Sequence, residues 1–281
     1  MRRTLVALFL GLAVSQAAAE PPRRVVSFNQ CGDQLVLALA DPQQIAGLSP
    51  YAADPSLSAV AEKARAYRRL DWQAESTLAL QPDLVLIGQN DRPVTKHILR
   101  AQGLRLYEIA LISDLDAARR QISDVAAVLG HPERGEKLLA DLDAARARLH
   151  AAPKPPFQSA LLINRGGYTA GAHSLAAALL AEAGLKPPRG APPGYGGYVP
   201  LERLLMLRPD AIVLNNLPRE SDQGSYNLSH PALTALYPPQ RRIVLPPRYT
   251  ICGGAALVEA FDYLAALLTR LAAQSPMMRT N

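Results

Sequence analysis

The chain has 281 residues, of which 49% are hydrophobic and 19% are charged. This length exceeds one typical domain, and the composition is that of a globular protein with enough apolar residues for two cores. The formal net charge is +6, but the basic residues are spread along the chain and form no runs, which argues against a nucleic-acid-binding protein.

The N-terminus has the features of a secretory signal. A charged start, Met1-Arg2-Arg3, is followed by an apolar stretch from Leu5 to Val14 and by the small residues Ala17-Ala18-Ala19, the order found in cleaved signal peptides. We therefore expect residues 1–19 to be removed and the mature protein to reach a bacterial periplasm. No cysteine stands at the cleavage site, so lipid attachment there is not expected.

From Arg24 onward, short apolar strands alternate with helical segments. An alternation at this spacing is typical of a mostly parallel sheet that is covered by helices on both faces. We assign residues 20–131 to this N-terminal lobe. Its predicted strands lie at 25–28, 45–48, 84–87 and 104–109, and its predicted helices at 33–40, 94–101 and 114–129.

A longer helix is predicted next. Pro132 can open it, and leucines line one face up to about His150, with charges elsewhere. At 1.5 Å per residue, about eighteen residues span roughly 27 Å. Three prolines within 151–156 end the helix. We assign residues 132–151 to an inter-lobe helix and expect it to be the sole bridge between the lobes.

The remaining residues, 152–281, form a predicted C-terminal lobe with the same alternation. Its first strand is followed by a glycine-marked turn, and a loop rich in proline and glycine covers 186–198. The predicted strands lie at 159–163, 211–214 and 242–245, and the predicted helices at 174–183, 231–236 and 256–273. The predicted fold class is α/β, with two Rossmann-like lobes and mostly parallel sheets joined by a single long α-helix.

One motif occurs once in each half. Residues 75–87 and 202–214 both have the pattern Glu-x-x-x-x-Leu-x-Pro-Asp followed by an apolar run, at a separation of 127 positions. In each copy a short helix ends before the proline, and a buried strand follows the aspartate. Two related lobes imply a cleft between them, and clefts are where ligands commonly bind.

Together with the signal sequence and the long helix, the duplicated motif resembles the class III periplasmic substrate-binding proteins. These proteins serve ABC importers for ferric siderophores, haem and cobalamin, and the resemblance covers nearly all of the mature chain. It implies a monomeric receptor that holds a metal chelate in the cleft, needs no cofactor and delivers the chelate to an ABC permease dimer. We expect a ferric siderophore or a corrinoid, with haem as the alternative.

The resemblance also implies a role for Glu75 and Glu202. In the family, paired glutamates on the tops of the two lobes dock into arginine pockets of the two permease subunits. Exposed charges on opposed lobes would steer a two-fold symmetric partner and fix its register. The alternative is that each glutamate only stabilises the first turn of its helix through the helix dipole.

Aromatic and basic residues are concentrated in loops expected at the carboxyl ends of the strands, where a ligand should bind. Aromatic rings offer broad contact to a chelate, a tyrosine oxygen could ligate ferric iron, and a guanidinium can hold a carboxylate or phosphate. Packing without ligand contact is the alternative for each ring. The family places an aromatic residue where this chain has Arg69, three positions before Trp72. The arginines near the expected mouth are Arg68, Arg69, Arg92, Arg165 and Arg248, of which one or two should bind. The candidate ligand residues are Tyr51, Arg69, Trp72, Tyr168, Tyr195, Tyr198, Arg248 and Tyr249.

The two cysteines, Cys31 and Cys252, fall in predicted cleft loops, one in each lobe. In an oxidising compartment an even pair favours a disulfide, which would need Cα atoms within about 7 Å and would clamp the cleft at one point. Two alternatives stay open: the thiols contact the ligand or its metal, or they are separately buried and inert.

Neither a metal site nor an enzyme is expected. The five histidines are scattered, and no pair has metal-ligand spacing. A secreted α/β enzyme would need a nucleophile beside a base, but the chain has no Gly-x-Ser-x-Gly sequence, and Cys31 with His173 is the only conceivable pair. A further alternative is an adaptor that has kept the fold and lost transport.

Overall fold

The structure, a computed structural model, describes residues 20–215 and 226–278. Residues 1–19, the expected signal sequence, lie outside the described residues. The strands are β1 Val25–Ser27, β2 Ile45–Gly47, β3 Leu84–Gly88, β4 Leu106–Ile109, β5 Ala160–Ile163, β6 Tyr168–Ala170, β7 Gly196–Tyr198, β8 Ala211–Leu214 and β9 Arg242–Val244. The helices are α1 Gln30–Leu39, α2 Ala61–Ala64, α3 Ala74–Leu78, α4 Pro93–Ala101, α5 Leu115–Leu129, α6 Pro132–Ala151, α7 Leu175–Glu182, α8 Leu201–Leu207, α9 Tyr226–Ser229, α10 Pro231–Leu236 and α11 Ala256–Met278.

The N-terminal lobe is built on a parallel sheet of four strands in the order β2-β1-β3-β4. All residues of β3 are buried, as expected for an apolar strand that is covered on both faces. Chain order reverses at β1, because β2 pairs with one of its edges and β3 with the other. Such a switch point in an open α/β sheet creates a crevice at the carboxyl ends of the two central strands.

The C-terminal lobe is built on a sheet of five strands in the order β7-β6-β5-β8-β9. Strands β5, β8 and β9 are parallel, whereas β6 and β7 run antiparallel to their neighbours. The switch point of this sheet lies between β5 and β8. The predicted fold class, α/β with two lobes and a long connecting helix, is confirmed; the first sheet is parallel throughout, and the second is parallel in two of its four pairings.

The strands β6 and β7 are absent from the sequence prediction, which has a turn after β5 and a loop over 186–198. Glycine is unfavourable in strand interiors, and three glycines, at positions 167, 196 and 197, flank or occupy these strands. Main-chain pairing of Tyr168 with Tyr198 and of Thr169 with Gly197 holds the two strands together. A backbone pairing of this kind leaves no hydrophobic alternation in the sequence.

The helix α6 begins at the predicted Pro132, and its 20 residues give a length of about 30 Å. It is the main-chain connection between the two sheets, since β1–β4 precede it and β5–β9 follow it, but side-chain packing also joins the lobes. One cluster of buried side chains extends from Leu84 and Leu86 of the first sheet, through Leu142 of α6, to Leu162 and Val213 of the second. Since α11 packs along α6 and contributes to the same cluster, the two lobes share a core and are not held apart by the helix.

The duplicated motif has the same structural role in both lobes. Asp83 accepts hydrogen bonds from the backbone N–H groups of Arg23 and Arg24, at 2.7 and 3.0 Å, immediately before β1. Asp210 accepts from the N–H groups of Gln158 and Ser159, at 3.0 and 2.9 Å, immediately before β5. Each aspartate therefore ties the start of its own strand to the start of the first strand of its lobe.

The two motif copies also turn in the same way. Gln81 and Arg208, which directly precede the motif prolines, have φ angles of 46° and 43°. A left-handed residue commonly ends a helix, and a following proline prevents its continuation. The repeat is therefore a helix stop and a strand anchor, and it accounts for the matching spacing in both halves.

None of the helices in the described ranges combines the length and the apolar character that crossing a membrane requires.

Candidate functional site

The carboxyl ends of the two sheets face each other. Cys31, just after β1, and Cys252, beyond the end of β9, have Cα atoms 5.1 Å apart. Nearby, the guanidinium of Arg248 in the C-terminal lobe donates to the backbone oxygen of Pro55 in the N-terminal lobe at 3.2 Å. These contacts bring together the loops in which both crevices open, and the space between the loops is the candidate site.

The sulfur atoms of Cys31 and Cys252 are bonded, and the bridge joins positions separated by 221 residues. Asn29 orients the first turn of α1, since its side-chain oxygen accepts from the N–H groups of Cys31 and Gly32 at 2.9 and 3.1 Å. Among the described residues there is no free cysteine. In this state Cys31 has no thiol to act as a nucleophile with His173, and neither sulfur is a free soft ligand.

The N-terminal lobe contributes an aromatic cluster centred on Trp72. Its ring centre lies 5.4 Å from that of Phe28 and 5.3 Å from that of Tyr51. The guanidinium carbon of Arg92 lies 3.9 Å from the Trp72 ring centre, within the range of a cation–π contact. We call Phe28, Tyr51, Trp72 and Arg92 the N-rim.

A hydrogen bond closes the switch point beside the N-rim. The side-chain nitrogen of Asn29, after β1, donates to the carboxylate of Asp91, after β3, at 2.8 Å. Gly88 makes this approach possible, because a Cβ atom there would collide with the Asp91 carboxylate. The loop that carries Arg92 is thereby fixed to the end of β1.

The C-terminal lobe contributes tyrosines on its antiparallel strands. Tyr168 of β6 and Tyr198 of β7 are register partners, and their ring centres lie 5.6 Å apart. The hydroxyl of Tyr168 donates to the backbone oxygen of Tyr195 at 3.2 Å. Tyr195 is 51% exposed and Tyr198 80% exposed. We call these three tyrosines the C-rim.

The structure places three of the eight candidate ligand residues outside both rims. Tyr249 is only 7% exposed and packs on Tyr263, with ring centres 5.1 Å apart, which argues against contact with a ligand. Arg248 lies over Tyr249 and bonds to Pro55 across the lobes. Arg69 is exposed, and its backbone pairs with Leu48.

Two members of the N-rim, and the hydrogen bond beside it, are not among the candidate residues from the sequence. Phe28 belongs to a predicted strand, and Arg92 was one of five arginines that nothing local distinguished. The Asn29–Asp91 hydrogen bond depends on strand order. One signal could have identified them: the four residues Phe28, Asn29, Asp91 and Arg92 follow the two strands that flank a switch point.

A buried carboxylate supports the loop that carries Tyr51. Asp33 of α1 accepts from the backbone N–H of Ser49 at 3.0 Å and from its hydroxyl at 2.5 Å. Burial raises the pKa of Asp33 to about 6, although the hydrogen bonds from Ser49 act in the opposite direction. Asp33 therefore fixes the start of the segment that leads to Tyr51 and Pro55.

The two motif glutamates occupy equivalent places. Glu75 is the second residue of α3 and Glu202 the second residue of α8, and both are exposed. Each therefore lies in a helix first turn, where a carboxylate is favourable, and each is accessible to a partner protein.

The described residues hold no group of three or more histidine, cysteine or acidic side chains that could bind a metal ion.

The sequence matches the family described as periplasmic binding protein over residues 25–230. A solved structure titled as the periplasmic heme-binding protein RhuT from Roseiflexus sp. RS-1 in apo form is similar, with 26% identity, a TM-score of 0.72 and coverage of 89% of this chain and 99% of that one. No curated protein matches significantly.

Two further solved structures share the fold at lower identity. One, titled an ABC-type Fe3+-hydroxamate transport system from Saccharomonospora viridis DSM 43017, is 22% identical with a TM-score of 0.67, covering 87% of this chain and 92% of that one. The other, titled the periplasmic vitamin B12 binding protein BtuF of Vibrio cholerae, is 16% identical with a TM-score of 0.67, covering 90% and 99%.

Proposed function

This chain belongs to the periplasmic binding protein family, and from that membership we propose that it binds a ferric siderophore or a corrinoid between its lobes and delivers it to an ABC permease dimer. The observation that carries the proposal is the pair of rims. Aromatic rings and a guanidinium lie at the carboxyl ends of the two sheets, and a disulfide bond joins the loops at these ends.

The ligand class follows from the chemistry of the rims. Rings from both lobes offer area to a large, rigid ligand at low entropic cost, and the described residues offer no metal cluster of their own. A ligand that brings a coordinated metal suits both features. Haem is the rival ligand, since the similar structure from Roseiflexus is titled a heme-binding protein.

Binding is proposed to need little lobe movement. The shared core, the disulfide and the Arg248–Pro55 hydrogen bond all cross between the lobes. A cleft restrained in this way is largely preformed, so little binding free energy is lost to ordering. The receptor holds its cargo and catalyses no reaction on it.

Delivery is proposed to depend on Glu75 and Glu202. Both carboxylates are exposed at equivalent positions of the two lobes, so a permease built from two similar subunits would meet one on each side. We also propose that residues 1–19 direct export and are cleaved, and that the mature receptor is a monomer.

The ligand assignment is tested by titration of the oxidised mature protein, residues 20–281. The chain contains one tryptophan, Trp72 of the N-rim, so its fluorescence reports binding at the site. Ferric trihydroxamate and catecholate siderophores, cyanocobalamin and haem serve as probes, with each metal-free siderophore as a control. We expect one siderophore or the corrinoid to bind with a dissociation constant below about 1 µM, near −8 kcal/mol. Binding of haem alone would support the rival ligand, and binding of none would refute the chelate assignment.

The docking assignment is tested with Glu75→Ala and Glu202→Ala in liposomes that contain the cognate permease. Each variant should lose at least about tenfold of the receptor-stimulated ATPase activity. Its ligand affinity should be unchanged, because exposed charges at the edge of a protein interface act mainly on the rate of association with the partner. Glu133→Ala is the matched control, because Glu133 is an exposed glutamate in the first turn of α6. Unchanged stimulation with a small loss of stability would favour the helix-dipole role, and an equal loss in the control would exclude specific docking.

A further inference from the structure

Arg92 differs from the other rim residues in its backbone. It directly precedes α4 with φ 45° and ψ 62°, a left-handed conformation that few residues other than glycine adopt. Such a conformation persists only where the surroundings enforce it. Here the neighbouring Asp91 is bonded to Asn29, and Pro93 opens the helix on the other side. With its backbone held in this conformation, the Arg92 side chain lies over the ring of Trp72.

The charge of Arg92 is held by aromatic rings and not by a carboxylate. Its guanidinium carbon lies 3.9 Å from the centre of Trp72 and 5.8 Å from the centre of Phe28. Within the described ranges no acidic side chain forms an ion pair with it, and its neighbour Asp91 accepts from Asn29. Other arginines of the chain form such pairs, including Arg119 with Asp143, Arg134 with Asp41, Arg146 with Glu182 and Arg148 with Asp262.

This arrangement leaves hydrogen-bonding capacity at the candidate site. A guanidinium that lies against a ring uses its face for the contact and keeps the N–H groups at its edge available. Those N–H groups match the two oxygens of a carboxylate in a planar, bidentate pair. Because Arg92 is half-buried, such a pair would be screened less by water than one on the open surface.

We propose that Arg92, held over the ring of Trp72, binds a free carboxylate of the cargo, one that does not coordinate the metal. This inference rests on the proposed function and narrows it to chelates that carry such a carboxylate. Trp72 is a positioning residue for Arg92 in this scheme, and it offers its remaining ring surface to the chelate.

The test uses Arg92→Met, which keeps much of the side-chain length without charge, and Arg92→Lys, which keeps the charge without the planar fork. Arg65→Met is the control, because it removes the same charge from an exposed position of the same lobe. Two matched pairs of probes differ only in free carboxylates: a ferric citrate–dihydroxamate siderophore with non-coordinating carboxylates and the derivative in which only those carboxylates are methyl esters, and haem and its dimethyl ester. Cyanocobalamin is the probe without a carboxylate. Affinities are measured by calorimetry, and thermal unfolding shows whether each variant is folded.

We expect wild-type protein to bind a free acid at least about tenfold more tightly than its ester. Arg92→Met should lose about 10–100-fold for the acid, the size of charge-assisted hydrogen bonds, and less than about threefold for the ester. Arg92→Lys should lie between the two, and Arg65→Met should match the wild type.

Three results would overturn the inference. Equal losses for acid and ester would show that Arg92 supports the cleft without recognising a carboxylate. Tight wild-type binding of cyanocobalamin or of the esters, with no preference for the acids, would keep the proposed function and exclude the carboxylate contact. Wild-type binding of none of these probes and of none of the siderophores in the fluorescence titration would exclude both the carboxylate contact and the proposed function.

Discussion

The two rims stand on matching scaffolds but are built differently. In the N-rim, Trp72 packs on Phe28, Tyr51 and Arg92, and Asn29 closes the switch point by its bond to Asp91. In the C-rim, Tyr195 and Tyr198 are largely exposed. The side-chain oxygens of Asn164 and Asn215, which follow β5 and β8 at the second switch point, are buried without a hydrogen-bond partner among the described residues. The side chains of the N-rim therefore pack mainly on one another, whereas the C-rim has a more exposed ring in Tyr198 and lies near two buried amide oxygens without partners.

The difference shows what the repeated motif specifies. Asp83 and Asp210 anchor the amino ends of the first strands of their lobes, at the opposite end of each sheet from the rims. A motif located there fixes strand positions and leaves the loops at the carboxyl ends free to differ. The duplication thus explains the paired architecture and carries no information about the ligand.

The largest expected effect on stability comes from removal of the disulfide bond between the two lobes. Replacement of both Cys31 and Cys252 by serine should lower the unfolding free energy by roughly 2–5 kcal/mol, because a disulfide that closes a long loop strongly restricts the unfolded chain. Guanidinium titrations of the oxidised protein and the variant measure the loss. Wild-type protein with the bond reduced is the control and should behave as the variant does. An unchanged midpoint would show that the shared core alone holds the lobes together.

A smaller effect should appear in the dependence of stability on pH, because the buried carboxylate of Asp33 supports a loop of the N-rim and not of the C-rim. Its pKa is raised to about 6, so the native state binds the proton more tightly than the unfolded state. The stability from this group is complete at low pH and is lost as the pH rises through about 6. The unfolding free energy of the wild type, relative to Asp33→Asn, should fall by about 2 kcal/mol between about pH 4.5 and about pH 7.5.

The asparagine of the variant can keep both hydrogen bonds to Ser49 and does not titrate in this range. The variant therefore shows the pH dependence that comes from all the other ionisable groups. Urea unfolding of both proteins at each pH gives the difference directly. A difference that does not change with pH would mean that Asp33 titrates near its ordinary value of 3.8.

Much of this fold is predictable from the sequence, because most strands are continuous apolar runs and the helices have clear limits. The prediction fails where backbone pairing or contacts between distant parts of the chain determine the position of a residue. Tyr198 and Tyr249 both lie in segments rich in proline or glycine, yet one is 80% exposed and the other 7%. Arg69 and Arg92 likewise look equivalent until strand order places only Arg92 over Trp72. Local sequence does not contain these tertiary contacts. It therefore identifies the loops that carry the rims, but it does not show which of their residues face a ligand.

The third prediction tests whether the two anchors are equivalent. Asp83→Ala and Asp210→Ala should each lower the unfolding free energy by about 1–3 kcal/mol, because each leaves two backbone N–H groups without their acceptor. The two losses should add in the double variant, since the sites share no partner. Chemical unfolding of the three variants measures the losses, with Asp262→Ala, which removes an exposed ion pair with Arg148, as the control for loss of charge. A large loss for only one aspartate would break the equivalence of the two copies.

The smallest expected effect is on the stability of the C-rim. Tyr198 is 80% exposed, and its ring touches Tyr168 edge-on, a contact worth about 0.5–1.5 kcal/mol when buried. Tyr198→Ala should therefore change the unfolding free energy by less than about 0.5 kcal/mol, since an exposed site loses little packing on truncation.

The same substitution should lower the affinity for the chelate found in the fluorescence titration by about tenfold, or 1.4 kcal/mol, because the ring then has the ligand as its main partner. Tyr107→Phe is the control, since Tyr107 lies on β4 outside both rims. A loss of stability as large as the loss of affinity would mean that the C-rim is packed like the N-rim, and the contrast between the two lobes would fail. A change in affinity without a change in stability would identify the C-rim as the surface that is completed by the ligand.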